Sequence, residues 1–170
     1  MAERISLRDY QRDLAERLRG AADAGRSSSK LAVQAGEEGW LVDLTEAGEV
    51  IPVPQITPVA QTRAWFRGVA NVRGNLYSVV DFPAFLGGKG VALGEQSRLL
   101  LIAPRYRIGA ALLVDSSLGL RNPESWQPHQ PAQAPAAWQR AEYEDESGKA
   151  WKELDIAELV RDANFLTVGS

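Results

Sequence analysis

The chain has 170 residues, 19 basic and 22 acidic side chains, a net charge of −3 and no cysteine. That length is enough for one domain with a short extension and a self-sufficient core. The charge balance argues against a general nucleic-acid or polybasic membrane surface, and the missing cysteines exclude disulfides, thiolate catalysis and cysteine-based zinc sites.

In chain order, the first segment reads as a helix. Ser6 followed by Asp9 is similar to a capping box, and Leu7, Tyr10, Leu14, Leu18 and Ala21 recur at helical spacing. The Gly and Ser residues of 21–30 read as a linker, so the chain divides into an N-terminal helix with a Ser-rich linker over 1–30 and a body over 31–170. The helix is expected to pack on that body as a lid. The first twenty residues are charged throughout, with no signal-peptide apolar core, and the run Ile108 to Val114 is far shorter than the roughly 20 residues that cross a bilayer. A cytoplasmic protein without direct membrane insertion is the expectation.

From residue 31 the signals are mostly β. Strands are expected at Trp40–Leu44, at Val50–Val53 (an edge or bulge, because Pro52 and Pro54 interrupt it), at Trp65–Val72 and at Leu76–Val80. Leu99–Ala103 and Ile108–Val114 are nearly continuous apolar runs and read as a hairpin buried on both faces. The segment 121–137 holds four of the nine prolines and reads as a long, stiff surface loop. Trp138–Tyr143 and Ala150–Leu154 form another hairpin, Asp155 caps a short helix near the C-terminus, and Phe165–Val168 is expected to add a last strand. VVDFPAFLG (79–87) and LLVDSSLGL (112–120) echo each other, as two similar barrels in tandem would require; the shared Asp is expected to cap the turn that follows.

No residue pattern points to chemistry. The one histidine, His129, lies in the proline-rich loop, where a base has no fixed partner. Asp81 and Asp115 sit at strand ends and read as caps rather than as an acid–base pair. LGGKG (86–90) lacks the Gly-Lys-Ser/Thr order of a phosphate loop, and EYEDE (142–146) lacks the alternate spacing of a calcium loop. No catalytic residue, cofactor or metal is therefore expected. Five Trp, four Tyr and four Phe leave a small-barrel single-stranded nucleic-acid module as the alternative, although nothing supplies the basic groove it needs.

Two markers carry a family resemblance. Trp65-Phe66-Arg67-Gly68-Val69, then Asn71-Val72-Arg73-Gly74 and Val79-Val80-Asp81, resembles the signature of CheW-like chemotaxis adapter domains, and Ile108 to Ser116 resembles that family's second marker. Val72, Ser78 and Phe82 depart from the usual residues, and Trp138-Gln139-Arg140-Ala141 stands where many members carry an apolar-x-(+)-Gly repeat. The proline-rich insertion and the N-terminal helix resemble the pilus-associated (PilI-like) branch, which serves twitching motility.

The resemblance implies a mainly β fold of two small five-stranded β-barrels sharing a core, plus the N-terminal helix and a short C-terminal helix. It implies a noncatalytic adapter that couples a methyl-accepting chemotaxis receptor to a CheA-like histidine kinase, recruited to receptor arrays at the inner membrane and able to join ring-type assemblies. Glu49 aligns by spacing with an acidic position in family adapter–kinase contacts. Arg73 projects from the turn as a multi-donor fork, Gly74 supplies positive φ there, and Gly68 and Val50 complete the candidate protein-binding set, with Val53, Ile56 and Val69 nearby as apolar support.

Overall fold

Two hydrogen-bonded sheets organise the body in the computed structural model, which describes residues 11–19 and 29–169. Residues 11–19 are helical (α1). The strands are β1 (Lys30–Ala35), β2 (Glu38–Asp43), β3 (Ala47–Pro52), β4 (Ile56–Thr57), β5 (Phe66–Val72), β6 (Asn75–Asp81), β7 (Arg98–Ile102), β8 (Ala110–Val114), β9 (Ser116–Arg121), β10 (Gln127–Pro128), β11 (Gln139–Glu144) and β12 (Ala150–Leu154). Short helices α2 (Phe82–Phe85), α3 (Ile156–Leu159) and α4 (Ala163–Leu166) follow β6 and β12.

One sheet runs β10-β11-β12-β2-β1-β9 and the other β3-β7-β8-β6-β5-β4. Each contains the five strands expected of a small barrel and a two-residue strand, β10 or β4, as a sixth at one edge. The parallel pairs β6–β8 and β12–β2 sit at the middle of each sheet, and all other ladders are antiparallel. These two pairs explain the apolar runs. β8 is buried at every position and β7 at all but Arg98, because both strands are covered on both faces.

Three apolar clusters follow from that double coverage. The largest lies between the sheets and joins Val33, Trp40, Val80, Phe82, Leu100, Leu112, Leu154 and Ile156. The inner face of the second sheet encloses Val79, Leu99, Ala111 and Leu113, and the first sheet encloses a smaller group, Ala32, Leu41 and Trp151. Trp126, from the proline-rich segment, stacks on Trp151 with centroids 5.6 Å apart and fills the remaining space. Most of the aromatic rings are committed in this way. Trp40, Phe82, Trp151 and Phe165 are buried, and Phe85 touches Trp65, Trp138 and Phe165. Few are left to form a stacking platform for bases.

Several sequence expectations change. The two echoing segments are not equivalent strands of separate barrels: β6 and β8 are parallel neighbours in one sheet. Asp81 does cap the following helix through Ala84 N, but Asp115 reaches back 79 residues to accept from Gly36 N at 2.6 Å. Residues 163–166 form a helix instead of a strand, because Asp162 accepts from the Asn164 and Phe165 amides and Phe165 is buried. β9 lies where Ser116, Ser117 and Gly119 read as a turn; Gly119, at φ +77°, forms the bulge in the β1–β9 ladder. The segment 121–137 includes the end of β9 and the strand β10, so it is anchored along its first half. In α1, Leu14 and Leu18 are 45% and 63% exposed, so this part of the helix does not lie on the body. Ser6, Leu7, Asp9, Tyr10, Ala21 and the linker through residue 28 lie outside the described residues.

Candidate docking surface

The β5–β6 hairpin turns on two residues, Arg73 and Gly74, whose φ angles are +52° and +87°, and Val72 pairs with Asn75 across them. This is the mirror-image turn whose twist matches a right-twisted hairpin. Gly74 is there for its dihedral alone, since a Cβ added to it would meet nothing within 4 Å. Asn71 holds the corner by accepting from Gly74 N at 2.9 Å, which accounts for its place in the motif.

Arg73 extends from this corner to Glu49, with Nη2 2.5 Å from Oε1. Glu49 belongs to β3 and Arg73 to the β5–β6 turn, and three strands separate β3 from β5 in the sheet order. The contact therefore spans the mouth of a sheet curled toward closure. Both side chains are exposed, at 66% and 46%, and the Glu49 hydrogen bond raises the Arg73 guanidinium further above its ordinary range. Beside the pair lies a groove of about 250 Å³ lined by Gly48, Val72, Tyr77, Leu101 and Pro104. A second groove of about 350 Å³ continues it past Leu76, which is 68% exposed.

Of the five candidate residues, Glu49, Arg73 and Gly74 meet at this mouth, and the other two support it from within. Val50 is half-buried against the core between the sheets. Gly68 is buried at φ +131°, and a Cβ there would lie 2.0 Å from the Thr57 carbonyl oxygen and 2.9 Å from Pro58 Cα. The missing side chain lets β4 lie against β5. Val53 and Ile56 pack against the inner cluster of the same sheet.

The real internal repeat pairs the Trp65 motif with the Trp138 motif. Asp81 N donates to the Trp65 carbonyl and Asp155 N to the Trp138 carbonyl, each at 2.7 Å. Both Asp side chains cap the next helix, and both neighbouring ladders shift register, at Phe66/Gly68 and at Gln139/Ala141. Alanine stands at 141 because the backbone there does not take the positive φ that Gly68 has at +131°.

The paired arginines hold different things. Arg67 approaches the buried Asp81 at 3.5 Å and donates to the Val91 carbonyl, while Asp81 Oδ2 accepts from Val91 N, so the pair pins the loop after α2. Arg140 meets Asp155, Glu153 and Glu46 at 3.0, 3.3 and 3.2 Å. Burial alone would lower the Arg140 guanidinium, but these three carboxylates raise it well above its usual range. Lys30 adds contacts to Glu153 and Asp43 at 3.0 and 3.1 Å. Sequence reasoning missed this network, whose one signal was the spacing from Trp138 to Arg140 that repeats Trp65 to Arg67.

Among the described residues, the Asp81, Asp115 and His129 side chains singled out in the sequence do not come together. Asp81 is enclosed as a cap, Asp115 serves the β1–β2 turn, and His129 stands 3.9 Å from both Glu142 and Glu144 on the surface. Among the described residues no three acidic or histidine side chains are grouped to hold a metal.

The family model described as CheW-like domain matches residues 30–164. The chain is 32% identical to Protein PilI of Pseudomonas aeruginosa over 111 residues, which cover 65% of this chain and 62% of that protein. It is 31% identical to Chemotaxis protein CheW of Thermotoga maritima over 100 residues, 58% of this chain and 64% of that one. The matches thus span less than two thirds of either relative's length. The crystal structure of scaffolding protein TtCheW from Thermoanaerobacter tengcongensis shares the fold, with a TM-score of 0.62 and 19% identity over 75% of this chain and 88% of that chain.

Proposed function

The chain belongs to the CheW-like domain family, and from that premise we propose that it is a noncatalytic adapter coupling a chemoreceptor to a CheA-like histidine kinase. The likeness to PilI supports a pilus-linked chemosensory system serving twitching motility. In this reading the protein is cytoplasmic and is recruited to receptor arrays at the inner membrane, where it joins ring-type assemblies. No described helix is long and apolar enough to cross a membrane. The mechanism is bivalent docking, which raises the effective concentration of kinase and receptor for each other and fixes their geometry.

The observation that carries the reading is the exposed Arg73–Glu49 pair over a groove at the mouth of one sheet. Arg73 keeps donors free to meet a partner's carboxylates or carbonyls, and its backbone is fixed by the two-residue turn. Gly74 and Asn71 hold that turn, while Val50 and Gly68 hold the strands beneath it.

Arg73→Glu places a second carboxylate beside Glu49. An exposed pair of this kind contributes little to folding, so the variant stays folded by circular dichroism. Its affinity for the kinase regulatory domain, measured by calorimetry, is expected to fall at least about tenfold, as loss of a charge-assisted contact implies. The swap Glu49→Arg with Arg73→Glu restores the internal pair but not the docking. A folded Arg73→Glu variant with unchanged affinity sinks the assignment.

A further inference from the structure

Arg140 stands in β11 of one sheet, and Glu46 lies in the turn that carries the chain from β2 into β3 of the other. The two are 94 residues apart in sequence and meet at 3.2 Å. The Glu46 side chain is only 7% exposed, and its Oε2 has no hydrogen-bond partner. Its Oε1 is shared between Arg140 and the Tyr106 hydroxyl, at 3.2 and 3.4 Å. The backbone of the same residue ties the seam together: its N–H donates to the Asp43 carbonyl, and its carbonyl accepts from the Ala103 amide at the end of β7. Directly after it the β3–β7 ladder shifts register between Ala47 and Glu49, and Glu49 is the residue that holds Arg73.

We propose that Arg140 is a positioning residue for the docking corner: by compensating Glu46 inside the seam, it fixes where β3 begins and therefore where Glu49 presents Arg73. A buried carboxylate left without its cation is more costly than a rearranged turn. Without Arg140, residues 44–46 open to hydrate Glu46, the Ala103 amide loses its acceptor, and the bulged start of β3 shifts. Asp155 and Glu153 link the same guanidinium to α3 and β12, so the first sheet sets the register of the second. The binding consequence rests on the adapter reading given above; the structural consequence does not.

The test is amide hydrogen exchange on the full chain with Arg140→Gln, Arg140→Lys and the double variant Glu46→Gln/Arg140→Gln. The Ala103 amide of Arg140→Gln is expected to exchange at least about tenfold faster than in the parent while the β8 amides do not, as local opening requires. The double variant, which removes Arg140 together with the buried Glu46 charge it compensates, returns it to a near-parent rate. Arg140→Lys keeps a cation at the seam, gives an intermediate rate and carries the readout if Arg140→Gln does not fold. Affinity for the kinase regulatory domain follows the exchange rates across the series. Unchanged exchange at Ala103 in Arg140→Gln, or no recovery in the double variant, overturns the proposal. If the parent chain itself fails to bind the kinase domain, the adapter reading fails and exchange at Ala103 alone decides the role of Arg140.

Discussion

Gly68→Ala is expected to lower stability by about 2–6 kcal/mol, a combination of backbone strain and overpacking of roughly 1–3 kcal/mol each. At φ +131° an L-residue is strained in any surroundings, and here the new methyl would also sit 2.0 Å from the Thr57 carbonyl oxygen. The obstacle is backbone, so no side chain can rotate away. Either β4 leaves the edge of its sheet or β5 flattens and loses its register shift against β6. Set against a typical total of about 5–15 kcal/mol, the substitution leaves a marginal domain. Urea unfolding checks it through a large fall in midpoint. Gly74→Ala is the control: nothing lies within 4 Å of its added Cβ, so only the φ of +87° opposes it and the loss is smaller.

Phe82→Ala is expected to cost about 3–5 kcal/mol by opening a cavity between the sheets. Phe82 has no exposed surface, meets the Trp40 ring edge-on at 5.2 Å and is the first residue of α2, directly after the capping Asp81. Its ring occupies the core that both sheets share, so its removal destabilises both together. Thermal unfolding should remain a single transition at a lower temperature. Two separated transitions would mean that the sheets are independent units, contrary to a common core.

The sequence discloses local structure more readily than it discloses partners. β7 and β8 were legible because a strand covered on both faces must be apolar throughout, and the turn because Gly74 accepts positive φ between two apolar runs, although the positive φ of Arg73 was not. The cap at Asp155 was legible because a cap is a contact between near neighbours. Phe165–Val168 misled because a short segment with three apolar residues fits a strand or a partly buried helical turn equally well, and the deciding contacts come from Asp162. The echo around Asp81 and Asp115 misled because similar residues arise in strands with similar burial, here two neighbours in one sheet.

At the docking corner, Glu49, Arg73 and Gly74 could be named one by one, but not their contact, which depends on how a six-stranded sheet curls. Gly68 reads as one more signature glycine until β4 is seen beside it. The Arg140–Glu46 contact was out of reach, since it depends on the chain leaving the first sheet, building all of the second, and returning.

In the proposed adapter function one copy of this chain holds a kinase and a receptor at the same time. The direct measurement is sedimentation velocity on the full chain mixed with the regulatory domain of a CheA-like kinase and the cytoplasmic hairpin tip of a chemoreceptor. The predicted result is a boundary containing all three components, which Arg73→Glu reduces to the receptor-bound species. Two binary complexes that exclude each other, or a chain that sediments alone beside both partners, would contradict it.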